Sequence, residues 1–284
     1  MTATFTSILD LRSALEPHRA QKTIALVPTM GNLHQGHISL VKLAKQQADI
    51  VVVSIFVNPT QFGVGEDLDS YPRTLDADSK LLAVEGVDYI FAPTVEEMYP
   101  VMPPPTQVLA GEISQKFCGQ SRPTHFDGVG IVVTKLFNIV QPDVAVFGKK
   151  DYQQLVIIKQ IVRDLSYDIK LIGGPIIRAE DGLALSSRNQ YLSENERTIA
   201  PLLNKHIRQL AASLRDEKIN SQTQLQALID NMKEAINQSG FRVDYLEVVN
   251  QDLTQINDFT DDKAWVILVA AWLGKARLLD NQEV

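Results

Sequence analysis

The sequence has only one cysteine, Cys118, so no disulfide can close within the chain. A reducing compartment is expected, the cytoplasm by default. Its longest apolar runs, "DIVVVSIFVNP" and "AWVILVAAWLG", fall well short of the roughly 20 residues a membrane helix needs. The first residues, "MTATFTSILDLRSALEPHRA", contain no apolar leader and read as a short strand and an amphipathic helix. No membrane partner is expected. Basic residues are outnumbered 27 to 34, giving a net charge of −7 with no long basic run; nucleic acid is therefore not expected as a partner. Three signatures are also missing: G-x-x-x-x-G-K-[ST], G-x-G-x-x-G after the first strand, and G-x-S-x-G. Their absence removes support for a P-loop enzyme, for nicotinamide or flavin binding, and for a hydrolase nucleophile elbow. Cys118 itself, in "KFCGQ", has no base motif beside it and reads as a small packed residue.

At 284 residues the chain suggests one large domain and a smaller one. From Thr23 onward, apolar runs alternate with helical stretches. "TIALVPT" is a strand, "HISLVKLAKQQA" a helix, and "DIVVVSIFVNP" a strand buried on both faces. The alternation continues through "VDYIFAP", "GVGIVVTKLFNIV", "VAVFG", "DYQQLVIIKQIVRDL" and "IKLIGGP". Repeated βαβ units force parallel strands, so residues 1–176 are expected to form an α/β, doubly wound, Rossmann-like parallel sheet. Beyond it, "SENE" is a capping-box pattern; helices over 201–216 and 222–238, broken at 217–221, and three strands follow. Residues 177–284 are expected to form a small α+β domain.

In such sheets ligands bind beyond the carboxyl ends of the strands. Four polar clusters fall at or near such positions. After the first βαβ strand comes Met30-Gly31-Asn32-Leu33-His34-Gln35-Gly36-His37; after the second, Asn58-Pro59-Thr60-Gln61. After "VAVFG" come Gly148-Lys149-Lys150-Asp151 and, one helical turn on, Gln154. Just past the domain boundary lies "ALSSRN", residues 184–189. Glycines and a helix start near His37 suit an anion, and imidazoles can donate to phosphate oxygens. The alternatives are two histidines that merely cap a helix, or a zinc pair, although His-x-x-His lacks the usual ligand framework. Lys150 and Asp151 read as a phosphate cation with a ribose or metal partner, or as a solvated helix start. Asn58, Gln61 and Gln154 are neutral amides suited to hydroxyls and a carboxylate, or ordinary turn polarity. The Ser-Ser-Arg stretch can clamp phosphates or simply link two domains.

"PTMGNLHQGH", "SIFVNPTQF", "YPRTLDAD", "RPTHFDGV", "FGKKDYQQL", "DGLALSSRN" and "VILVAAWLG.ARLLDN", in this order, resemble the pantoate–β-alanine ligase (pantothenate synthetase) family from about Thr23 to Asn281. H-x-G-H alone is shared with a wide adenylyl-transferring superfamily; the other motifs are more specific. The resemblance implies ATP-dependent condensation of (R)-pantoate with β-alanine through a pantoyl adenylate, with Mg2+ accompanying ATP and a homodimeric assembly. It implies that Met30 to His37 hold ATP, with His34 and His37 on its phosphates and His37 catalytic. It also gives Gly148, Lys149, Lys150 and Asp151 to the nucleotide, Lys150 reaching the phosphates, and Ile177 to adenine through its main chain. Leu185, Ser186, Ser187 and Arg188 would close over the triphosphate. Gln61 and Gln154 would bind pantoate, Gln61 also facing β-alanine, with Asn58 close by. The family often has Glu where this chain has Lys149, so that side chain is not expected to be essential. The protein ligands of magnesium are open, with Asp76 and Asp78 as candidates. Residues 62–74 are a second candidate lid.

Overall fold

The computed structural model describes residues 2–216, 219–259 and 264–284. The start of the polar break expected at 217–221 thus lies outside the described residues. The chain forms two compact units. The first comprises residues 1–149 and 157–175, the second 150–156 and 176–284. The second unit's capture of 150–156 is a placement that the linear alternation of elements does not suggest.

The first unit is built on six strands: β1 (Ala3–Phe5), β2 (Ile24–Thr29), β3 (Ile50–Ile55), β4 (Tyr89–Phe91), β5 (Val144–Gly148) and β6 (Lys170–Gly174). They pair in the order β1-β4-β3-β2-β5-β6, every pair parallel. The expected doubly wound α/β sheet is present. From β2 the chain proceeds to β3 and β4 on one side, then returns to β2's other side with β5. That reversal opens a crevice at the carboxyl ends of β2 and β5. Val51, Val52 and Val53 of β3 are at most 1% exposed and serve the core, while Ile55 and Val57 are only partly buried.

Acidic residues pin the opposite edge of the sheet. Asp49, Asp88 and Asp143 each directly precede a strand, and each accepts a main-chain N–H near a neighbouring strand's start. The donors are Thr23 at 2.9 Å, Val51 at 2.9 Å and Ile24 at 2.7 Å respectively. The Thr23 amide and hydroxyl hold the Asp49 carboxyl below the ordinary carboxylate range.

Helices α1 (Ile8–Leu15), α2 (Gln35–Lys45), α3 (Leu75–Val84) and α6 (His125–Val140) belong to this unit. Two single-turn helices, α4 (Val95–Met98) and α5 (Cys118–Ser121), lie in the long connection before α6. Helix α2 presents Ile38, Val41 and Ala44 to the core at helical spacing. Helix α6 approaches the short turn Pro59–Gln61 through Gly128, where an added Cβ would sit 2.3 Å from the Thr60 carbonyl oxygen.

The second unit pairs β7 (Arg242–Asn250), β8 (Trp265–Leu273) and β9 (Ala276–Glu283) as an antiparallel sheet. Helix α7 (Tyr152–Asp164) begins in this unit, which also holds α8 (Glu194–Ile199), α9 (Leu202–Asp216) and α10 (Gln222–Gln238). Ser193 and Glu196 form the expected capping box of α8. Leu203, Ile207, Leu210, Ala211 and Leu214 line one face of α9 and pack into a core that includes Trp265, Ile267 and Val269. Among the described residues no helix is long and apolar enough to cross a membrane.

Gly128→Ala should destabilise the protein by roughly 1–3 kcal/mol, because its methyl would meet main chain rather than a yielding side chain. Urea unfolding of both proteins measures this. Equal midpoints would show that α6 and the Pro59–Gln61 turn can separate without cost.

Candidate active site

Strand β2 ends at Thr29, whose hydroxyl donates to the Ser54 carbonyl at 2.8 Å and accepts the Gly31 N–H at 3.2 Å. The chain then reverses through Gly31 (φ +83°) and Asn32 (φ +50°), two successive left-handed residues. Such a turn aims consecutive N–H groups into one concavity, a natural anion cradle. The occupant here is protein: the N–H groups of Asn32 and Leu33 each donate at 2.9 Å to the buried carboxylate of Asp78.

Next comes His34, extended at φ −134° and ψ 177°, as the N-cap of α2. Its Nδ1 accepts the Gly36 N–H at 3.1 Å, and His37 Nδ1 accepts the His34 N–H at 3.3 Å. Two imidazoles thus form a reciprocal capping box usually made by Ser or Thr with Glu or Gln. The helix-capping alternative and the phosphate alternative are therefore compatible. A nitrogen that accepts an N–H bond carries no hydrogen, so each neutral ring bears its hydrogen on Nε2. The ring centroids are 4.2 Å apart and the rings are tilted by 43°. The expectation of exposed main-chain donors at the helix start needs correction. The N–H groups of Asn32, Leu33, Gly36 and His37 are all used inside the protein. These four donors are therefore not offered to an anion.

Beyond β3, Asn58 and Gln61 lie in one buried network. Asn58 is 1% exposed. Its amide donates to Gln61 Oε1 at 3.1 Å and the Gly128 carbonyl at 3.0 Å, and accepts the hydroxyls of Tyr99 at 2.9 Å and Thr60 at 3.0 Å. Both of its donors and its acceptor are used, and one of these bonds holds the Gln61 side chain. Burial pushes the Tyr99 hydroxyl up to about 12, partly offset by Thr60, which keeps it a neutral donor. Gln61 Nε2 reaches Met30 Sδ at 3.1 Å, tying this cluster to the first.

The Gln61 main-chain carbonyl is gripped from another side by His125 Nδ1 at 2.7 Å and Arg122 at 3.3 Å. A carbonyl only accepts, so His125 carries its hydrogen on Nδ1. Arg122 also donates from Nε to Glu66 at 2.8 Å. Burial opposes ionisation of Glu66, but the Arg122 hydrogen bonds and charge prevail and hold its carboxyl below the ordinary range. Tyr99, Arg122 and His125 have no assigned role in the sequence reading. Arg-x-x-His immediately before α6 is the one signal that could have drawn attention to two of them. Asp76 is exposed on the first turn of α3. Asp78 is buried and turns both oxygens to main-chain donors.

Gly148 ends β5 and Lys149 opens the following turn, both within the first unit, while Lys150, Asp151 and Gln154 belong to the second. Lys150 Nζ lies 3.3 Å from the exposed Asp151 carboxylate, its own side chain only partly exposed. Its carbonyl accepts from Asn281 at 3.0 Å. In the same unit, Ile177 and Leu185 face each other across a tight hairpin, the Leu185 N–H donating to the Ile177 carbonyl at 2.9 Å. Arg178 anchors the hairpin through a bidentate bond to the buried carboxylate of Asp280, at 2.6 and 2.8 Å, which Asn204 supports at 3.2 Å. Ser186 caps the following turn by accepting the Arg188 N–H at 3.3 Å. Ile177, Leu185, Ser186, Ser187 and Arg188 thus share one loop whose base Arg178 anchors.

Residues 3–283 match the family described as pantoate-beta-alanine ligase. A pantothenate synthetase of Psychrobacter sp. (strain PRwf-1) is 74% identical over 100% of this chain and 99% of its own. One from Acinetobacter baumannii (strain AYE) is 52% identical, covering 99% and 98% respectively. Among solved structures, pantothenate synthetase from Thermus thermophilus shares 42% identity at a TM-score of 0.87, over 99% of this chain and 98% of that one. The Francisella tularensis pantoate-beta-alanine ligase, complexed with beta-gamma ATP and beta-alanine, shares 35% at 0.79, over 100% and 98%. The chain belongs to the pantoate–β-alanine ligase family.

Proposed function

We propose that this protein joins (R)-pantoate to β-alanine at the expense of ATP, giving pantothenate, AMP and pyrophosphate. The observation that carries the reading is the reciprocal capping of His34 and His37, which leaves both neutral rings with a hydrogen on Nε2. Two adjacent neutral donors at the carboxyl end of β2 suit phosphate oxygens. The family match supports the identity of the substrates.

In the first step a pantoate carboxylate oxygen attacks the α-phosphorus of ATP; the new P–O bond forms as the bond to pyrophosphate breaks. In the second, the neutral amine of β-alanine attacks the acyl carbon, AMP leaves, and the amine nitrogen loses a proton. Adenylation is needed because a free carboxylate has no adequate leaving group. The attack in step one requires no general base, so we assign His34 and His37 to charge stabilisation as donors, with Lys150 as the cation for the phosphates. We assign Met30 to His37, Gly148 to Asp151, the Ile177 main chain and Leu185 to Arg188 to ATP. Gln61 and Gln154 take pantoate, Gln61 also facing β-alanine, and Asn58 acts through Gln61. The acyl adenylate is water-labile, so a closing cover is needed; we assign it to Ser186–Arg188, with residues 62–74 as a second cover. Among the described residues no three His, Cys, Asp or Glu side chains gather as a cation cage. We place magnesium on the ATP phosphates, with water and one or two carboxylates completing its shell, as is usual for this ion. We also infer a homodimer in the cytoplasm.

Mass spectrometry of protein with MgATP and (R)-pantoate, with and without β-alanine, tests the activity. Pantothenate and AMP should appear together only when β-alanine is present. A stable adenylylated product that ignores β-alanine would instead make the protein a nucleotidyltransferase. His37→Ala and Lys150→Ala should each slow adenylation by about 100-fold or more while remaining folded, since each removes a charge-stabilising donor. Turnover near wild type in either variant would remove that residue from its assigned role. Sedimentation equilibrium should give twice the chain mass, and a single-chain mass would refute the dimer.

A further inference from the structure

Asp78 lies on α3, a helix with no side chain in the assigned site, and it is 3% exposed. A buried carboxylate is costly unless fully hydrogen-bonded, and this one accepts three bonds. Asn32 N–H and Leu33 N–H arrive at 2.9 Å on different oxygens, and the Thr74 hydroxyl arrives at 3.0 Å. Gly31 completes the fit, since a Cβ there would come within 3.1 Å of Asp78 Oδ2. The two residues that Asp78 holds directly precede His34. His34 in turn receives and gives the capping bonds that set both imidazoles.

We propose that Asp78 is a positioning residue for adenylation, a main-chain clamp that fixes where the His34 and His37 donors point. The proposal rests on the reading of those histidines as phosphate donors. The carboxylate fills from within the cradle that the left-handed turn would otherwise offer a phosphate. It thereby converts an anion-binding turn into a rigid mount for two rings. A neutral amide cannot substitute. Both oxygens of Asp78 face N–H groups, so the NH2 of Asp78→Asn would oppose a donor and release one side of the turn.

The test measures adenylation by rapid quench of pyrophosphate release, together with the KM for ATP, at a temperature where each variant is shown to be folded. Asp78→Asn should lower the adenylation rate constant at least about tenfold, with the ATP KM changed less than about threefold, the pattern of lost transition-state contact rather than lost binding. In a His37→Ala background the same substitution should cost about threefold or less, because one of the rings it misplaces is already gone. Equal losses in both backgrounds, or a KM effect alone, would overturn the clamp. A wild-type rate in Asp78→Asn beside a slow His37→Ala would overturn the clamp and leave the histidine reading intact. A wild-type rate in His37→Ala would overturn that reading and the clamp with it. Should Asp78→Asn not fold, Thr74→Val takes its place, removing one bond and leaving the carboxylate. A fall of about threefold or more, smaller in the His37→Ala background, supports the clamp, and an unchanged rate overturns it.

Discussion

Two weak bonds decide what the turn after β2 can do: main-chain N–H groups received by His34 Nδ1 and His37 Nδ1. Each contributes about as much to helix stability as any N-cap, on the order of 1 kcal/mol. Their chemical consequence is larger, because an occupied Nδ1 determines that the hydrogen of a neutral ring resides on Nε2. Capping and catalysis usually compete as explanations for a polar residue at a helix start. Here the cap selects the tautomer that a phosphate-binding site needs.

Both units rest their functional loops on a buried carboxylate that faces main chain or guanidinium. Asp78 holds the turn before α2, and Asp280 holds the hairpin of Ile177 and Leu185 through Arg178. Each is 5% exposed or less, and each has both oxygens hydrogen-bonded, which is the condition under which a buried charge is tolerated. An acidic protein that must handle ATP and a carboxylate substrate places these charges against donors, so that they do not repel the ligand. Gln61 is treated in the same way, its side chain oriented by Asn58 and its carbonyl gripped by His125 and Arg122.

The alternation of strands and helices was legible because βαβ crossovers leave long periodic signals and few parallel alternatives. The H-x-G-H turn was legible as a polar cluster at a strand end. Its internal wiring was not. The Asp78 carboxylate reaches a turn 45 and 46 residues away, and from sequence it looks like any acid in a helix's first turns, or like a metal ligand. The burial of Asn58 was not legible either, because it depends on Tyr99 and Gly128, both distant in sequence. Residues 150–156 read as the continuation of the large domain because α7 is one unbroken pattern. Their grouping with the second unit comes from long-range bonds such as Tyr152 to the Gln251 carbonyl and Asn281 to the Lys150 carbonyl.

The most direct test of the account is long-range 15N–1H NMR of the histidine rings at neutral pH, which reports which nitrogen of His34 and of His37 carries hydrogen. Both should be neutral Nε2–H tautomers, whereas His125, facing the Gln61 carbonyl, should be its Nδ1–H counterpart. An Nδ1–H tautomer, or a charged imidazolium, at His34 or His37 would contradict the claim that capping sets these two rings as paired neutral donors.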